Sequence, residues 1–61
     1  MTYTPGQTFS STKTANGETF VETAKIIRVT AHRVVYAWTV NGRLIAELSW
    51  GFKQFSNKWE A

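Results

Sequence analysis

RVVYAWTVNGRLIAELSW, residues 33–50, decides the fold of this chain. Two runs rich in β-branched and aromatic residues flank Asn41-Gly42, the strongest short-range hairpin signal a sequence carries. A two-residue loop on Asn41-Gly42 sets Trp38 opposite Ile45 and Tyr36 opposite Glu47. The face of Val34, Tyr36 and Trp38 would then also carry Arg43, Glu47 and Ser49. A three-residue loop, Val40-Asn41-Gly42, turns the second strand over. Trp38 then faces Leu44, Tyr36 faces Ala46, Val34 faces Leu48, and Trp50 follows on the same, wholly apolar side. Burying each large side chain is worth about 1.5–3 kcal/mol, more than a turn preference. The expectation is a type I turn with Gly42 in the left-handed region as a G1 bulge.

Outward from this hairpin the pattern stays β. Pro5-Gly6 opens the fold as a turn, and Gln7–Ser11 reads as a first strand with Phe9 inward. Ser10–Thr19, rich in Ser, Thr, Asn and Gly, reads as a mobile hairpin-like excursion turning at Ala15-Asn16-Gly17. Thr19–Val29 is the second strand. It has Val21, Ile27 and Val29 on one parity and Phe20, Ala24 and Ile26 on the other, as in a strand that bends or is covered on both sides. A two-residue Ala31-His32 loop pairs Val29 with Val34 and Ile27 with Tyr36. After the fourth strand, Ser49 caps a single helical turn in which Phe52 and Phe55 plug the open end of the sheet. Asn57–Glu60 returns as a short last strand anchored by Trp59.

Sixty-one residues make one domain, residues 1–61, near the lower size limit for folding without staples. With no cysteine there is no disulfide framework and no thiolate metal site. One histidine and four acids, Glu18, Glu22, Glu47 and Glu60, make no convincing zinc or calcium site, and no cofactor is expected. Stability must come from nine aromatic rings, most of them core. The net charge of +3 fits contact with nucleic acid or an acidic protein surface, and is equally an ordinary solubility charge. MTYTPGQTF lacks the pattern of a signal peptide, and no apolar run is long enough to span a bilayer. The expectation is a soluble, cytoplasmic chain.

The segments Pro5-Gly6-Gln7-Thr8-Phe9, Val34-Val35-Tyr36, Asn41-Gly42 and Ser49-Trp50-Gly51-Phe52-Lys53-Gln54-Phe55 resemble the outline of small SH3-like domains. The resemblance implies an all-β fold: a five-stranded SH3-like barrel with a one-turn helix before the last strand. Stand-alone chains of this style are often phage- or plasmid-encoded. The acidic excursion and Tyr-rich groove that hold Pro-rich peptides are missing, since Ser10–Thr19 contains only Glu18. An OB-like barrel is the rival fold.

Catalysis is not expected. Nothing brings Glu22 and Glu47 together, His32 sits in a turn beside Arg33, and no glycine-rich phosphate loop exists. The outer sheet face is more informative. The expected registers place an Ile26-Ala37-Ile45 stripe between Arg28 and Arg43. That stripe reads as a contact surface, a second buried layer or a homodimer seam. Arg28, Arg33, Arg43, Lys53 and Lys58 could meet phosphates. Tyr3, Trp59 and Phe20 are the rings that could stack bases, with Trp59 alternatively a core plug. The reading is a non-enzymatic binding module for DNA or RNA. The alternative is a phage-type factor that docks on a host protein through Ile45, Val35 and Arg28, as monomer or homodimer and away from membranes.

Overall fold

The computed structural model describes residues 3–60. Strands β1 (Thr8–Ala15), β2 (Glu18–Val29), β3 (Arg33–Val40) and β4 (Arg43–Gly51) precede a helix, α1 (Phe52–Trp59). The strands form one antiparallel sheet in the order β1-β2-β3-β4, each pairing with the next. β1 and β4 are its two edges, so the sheet is open and has four strands. The expected fifth strand over Asn57–Glu60 is the second half of α1 instead. The cause is visible in the spacing. Phe52, Phe55 and Trp59 recur at helical period, and a two-turn helix buries Phe55 and Trp59 on the sheet together. Gly51, extended at φ −64° and ψ 157°, is the N-cap residue, and no side chain caps the helix. The cap expected from Ser49 is therefore not made.

Both Asn-Gly pairs form two-residue loops with positive φ at each position: 52° and 78° at Asn16-Gly17, 52° and 82° at Asn41-Gly42. This is the type I′ signature, whose twist matches that of the flanking strands. Ala15 pairs with Glu18 across the first loop and Val40 with Arg43 across the second. The three-residue loop and G1 bulge expected at Gly42 are absent. The expected excursion over Ser10–Thr19 is likewise regular hairpin: β1 pairs with β2 along its whole length, from Thr8 opposite Lys25 to Ala15 opposite Glu18. A threonine-rich strand suits the pleated sheet well enough to need no loop.

The apolar face is restored farther from the turns, by two β-bulges. In β4 the extra residue is Ile45, between Ala46 opposite Trp38 and Leu44 opposite Thr39. Beyond it Leu48 faces Tyr36 and Trp50 faces Val34, so Ala46, Leu48 and Trp50 join the inner face as the pattern demands. Leu44 does not; it is 58% exposed. In β2 the extra residue is Ile27, between Ile26 opposite Tyr36 and Arg28 opposite Val35. The pairing of Val29 with Val34 holds, but Ile26 takes the inner place opposite Tyr36 that the sequence reading gave to Ile27. The apolar residues on both parities of β2 record this bulge, since one extra residue exchanges the faces.

Across the inner face one row runs Phe9, Ala24, Trp38, Ala46, alternating large and small so that rings fill the space over alanines. α1 closes over this face. Phe55, fully buried, meets Tyr3, Phe9 and Tyr36 edge-on at centroid distances of 5.2, 5.3 and 5.0 Å. Tyr3 arrives through a turn in which the Gln7 N–H donates to the Thr4 carbonyl at 3.2 Å, with Gly6 at φ 89°. That is a type II turn with proline and glycine at its two central positions. It is pinned to β2 by Gly6 N–H to Ile26 O at 2.8 Å and Ile26 N–H to Gln7 O at 2.9 Å.

Two substitutions test the β2 bulge. Ile26 is 1% and Ile27 45% exposed. Ile26→Ala should cost about 2–5 kcal/mol as a core cavity, and Ile27→Ala less than about 1 kcal/mol. Denaturant melts reversing that order would refute the bulge. Gly42→Ala, which forces a Cβ onto a positive φ, should cost about 1 kcal/mol in the same assay.

Candidate functional site

The two faces of the sheet differ in chemistry. The face away from α1 carries cross-strand rows Thr8–Lys25–Ala37–Glu47 and Arg28–Val35–Ser49, then Arg33 beside Gly51. Arg33 is firmly held. Its backbone N–H donates to Thr30 Oγ1 at 3.0 Å, and its carbonyl accepts from the Thr30 N–H at 2.9 Å, closing the Ala31-His32 turn. Its Nε donates to Ser49 Oγ at 2.8 Å and one terminal nitrogen to the Ser49 carbonyl at 2.6 Å. Two of five guanidinium donors are engaged, leaving the others for a ligand anion. His32 is exposed in the same turn.

Arg28, Arg33 and Val35 are thus neighbours, with Lys25 one row away. The other residues singled out in the sequence lie elsewhere. Arg43 begins β4 at the far end of the hairpin, separated from Arg33 by the length of β3, about 23 Å at the usual rise of a strand. Ile45 is the bulge residue near that far end and is exposed. Lys53 is exposed in the first turn of α1, two residues beyond Gly51. Lys58 lies on the other side of the sheet, against Glu22. The Ile26-Ala37-Ile45 stripe does not form, because Ile26 is core and Ala37 lies between Lys25 and Glu47. Of the three candidate stacking rings, Tyr3 and Trp59 are buried and Phe20 is half-buried.

On the helix side a cleft of about 180 Å³ is lined by Tyr36, Trp38, Leu48, Trp50 and Trp59, with Glu22 and Lys58. Glu22 is only 7% exposed. On the inner face it pairs with Ser11 and Val40, which brings Lys13 and Trp38 to diagonal positions within reach of a long side chain. Its Oε1 accepts from Trp38 Nε1 at 3.2 Å; its Oε2 lies 3.1 Å from Lys13 Nζ and 3.6 Å from Lys58 Nζ. Burial alone would push the carboxyl up, but the hydrogen bond and charge of Lys13, the charge of Lys58 and the Trp38 N–H outweigh it and hold the group below its ordinary value. Burial pushes the Tyr36 hydroxyl the other way, upward. Sequence reasoning missed Glu22 as a structural centre. The signal was its parity: it shares a face with Phe20, Ala24 and Ile26.

A carboxyl with a depressed folded pKa adds stability above its unfolded value, lost as pH falls through the folded one. Stability should therefore decline as pH drops below about 4.5, the ordinary value for this group. Glu22→Gln, which keeps an acceptor for Trp38, should cost about 1–2 kcal/mol at neutral pH and flatten that acid limb. Thermal melts between pH 7 and 3 on both proteins check it; an unchanged acid limb in the variant would refute the assignment to Glu22.

Among the described residues no three His, Asp or Glu side chains gather as a metal site, and no helix is long and apolar enough to cross a membrane. No protein-family model, curated protein or solved structure matches the chain.

Proposed function

We propose that the chain is a non-enzymatic binding module whose uncovered sheet face contacts the backbone of DNA or RNA. The observation that carries the reading is the grouping of Lys25, Arg28 and Arg33 around Val35 on that face, with Glu47 the one acid in the same rows. Guanidiniums meet phosphate oxygens through paired, charge-assisted hydrogen bonds, and Arg33, held by Ser49, offers its remaining donors without first being ordered. With Tyr3 and Trp59 in the core, base stacking contributes little, so the contact reads charge and shape rather than sequence. The SH3-like outline of residues 5–55 agrees with a small binding domain but adds no residue to the site.

Fluorescence anisotropy with labelled single- and double-stranded DNA and RNA tests this. Three phosphate contacts predict a loss of about 20- to 40-fold in affinity between 50 and 200 mM salt. Arg28→Ala and Arg33→Ala should weaken binding and flatten the salt slope, while Arg43→Ala, at the far end, should leave both near wild type. No binding at low salt would retire the reading in favour of a protein partner. Leu44, Ile45 and Val21, all exposed, are the apolar side chains that such a partner would cover.

A further inference from the structure

We infer that the cleft between α1 and the β3–β4 half of the sheet is a receptor for an alkylammonium head group, held here from within by Lys58. The cleft is bounded by rings of Tyr36, Trp38, Trp50 and Trp59 and contains one carboxylate, Glu22. Aromatic faces attract cations through the ring quadrupole, most strongly when the cation sheds water. A carboxylate among them fixes the sign of the preferred ligand. The chain itself displays the chemistry: Lys58 Nζ lies 5.5 Å from the Trp59 ring centroid and 3.6 Å from Glu22 Oε2.

Lys58 is also the more distant of the two lysines on Glu22. Lys13 sits closer, at 3.1 Å, and does not line the cleft. Lys58 belongs to the last turn of α1, and its side chain, about one-third exposed, has a route into water. A ligand cation then takes its place while Lys13 and Trp38 still hold Glu22. Since Lys13 keeps part of the carboxylate's charge engaged, the rings supply most of the selectivity. They favour a methylated ammonium, weakly hydrated and broad, over a primary one. The site lies on the opposite side of the sheet from Arg28 and Arg33, so it stands independently of the nucleic-acid reading.

The indole N–H signals of the protein, followed by NMR while choline is added at constant ionic strength, give a direct test. The Trp38 and Trp59 signals should shift saturably, and 3,3-dimethyl-1-butanol, the uncharged isostere, should move them far less. Lys58→Met, which removes the internal competitor and keeps an apolar chain in place, should tighten choline binding at least threefold. Glu22→Gln should weaken it about tenfold; if that variant is poorly folded, the wild type and Lys58→Met still decide. Equal shifts with the uncharged isostere, no saturable shift, or no gain in Lys58→Met would overturn the proposal.

Discussion

Everything in this small domain leans on the Phe55 ring. It has no exposed surface and meets Tyr3, Phe9 and Tyr36 edge-to-face. The N-terminal turn and the β1 strand that follows it are thereby tied at one point to β3 and α1, distant in sequence. Each edge-on pair adds about 0.5–1.5 kcal/mol beyond its burial. In a chain without cysteine, these contacts join elements whose own stability is slight. A two-turn helix is too short to persist in water, and a four-stranded meander with one bare face needs a cover. Phe55 makes each the support of the other.

The sheet shows how a strong turn preference and a strong burial preference coexist. Taken as rivals, burial of the apolar face outweighs the preference of Asn41-Gly42 for a two-residue turn. In the molecule both are satisfied, because the conflict is moved into the strand. The turn keeps its two-residue type I′ form, and one extra residue, Ile45, corrects the parity two positions later. Ile27 does the same in β2. The membership of the inner face at Val34, Tyr36, Trp38, Leu48 and Trp50 was therefore legible from alternation alone. The identity of the bulge residues was not, since alternation records that a parity changes without fixing which residue is extra. Leu44, Ile26 and Ile27 were misplaced for that reason. The C-terminal helix was half legible: the Phe52–Phe55 spacing is helical, and Trp59 four residues on continues it.

Glu22 bears on the same question from the polar side. A carboxylate in a core this small is costly unless paired, and removing either its lysines or its Trp38 donor leaves an imbalance that an apolar side chain would not. Its presence fixes the geometry around it. Trp38 is oriented by its indole N–H, Lys58 is held over the Trp59 ring at the end of α1, and Tyr36 packs edge-on against Trp50 and Trp59 at the wall of the cleft. A leucine there would fill the space and erase the polarity. Apolar residues on both parities of β2 left the side of Glu22 open in the sequence; the pairing with Ser11 and Val40 sets it on the inner face, and the diagonal contacts with Lys13 and Trp38 explain how it is tolerated.

The two faces therefore divide the domain's chemistry. Rings and the buried carboxylate lie under the helix; most of the hydroxyls, with Lys25, Arg28 and Arg33, lie on the bare side. In an open sheet one strand serves both, because successive residues point opposite ways. β3 shows it plainly: Val34, Tyr36 and Trp38 build the core while Val35 sits between Arg28 and Ser49. This arrangement makes the outer face tolerant. Its side chains are exposed or half-buried, so substitutions there disturb packing less than those on the inner face. The inner face has no such freedom, and any contact made in its cleft is coupled to the stability of the fold. A ligand held between Glu22 and the tryptophans must strengthen the seam between α1 and the sheet, because the same rings line the cleft and close the core.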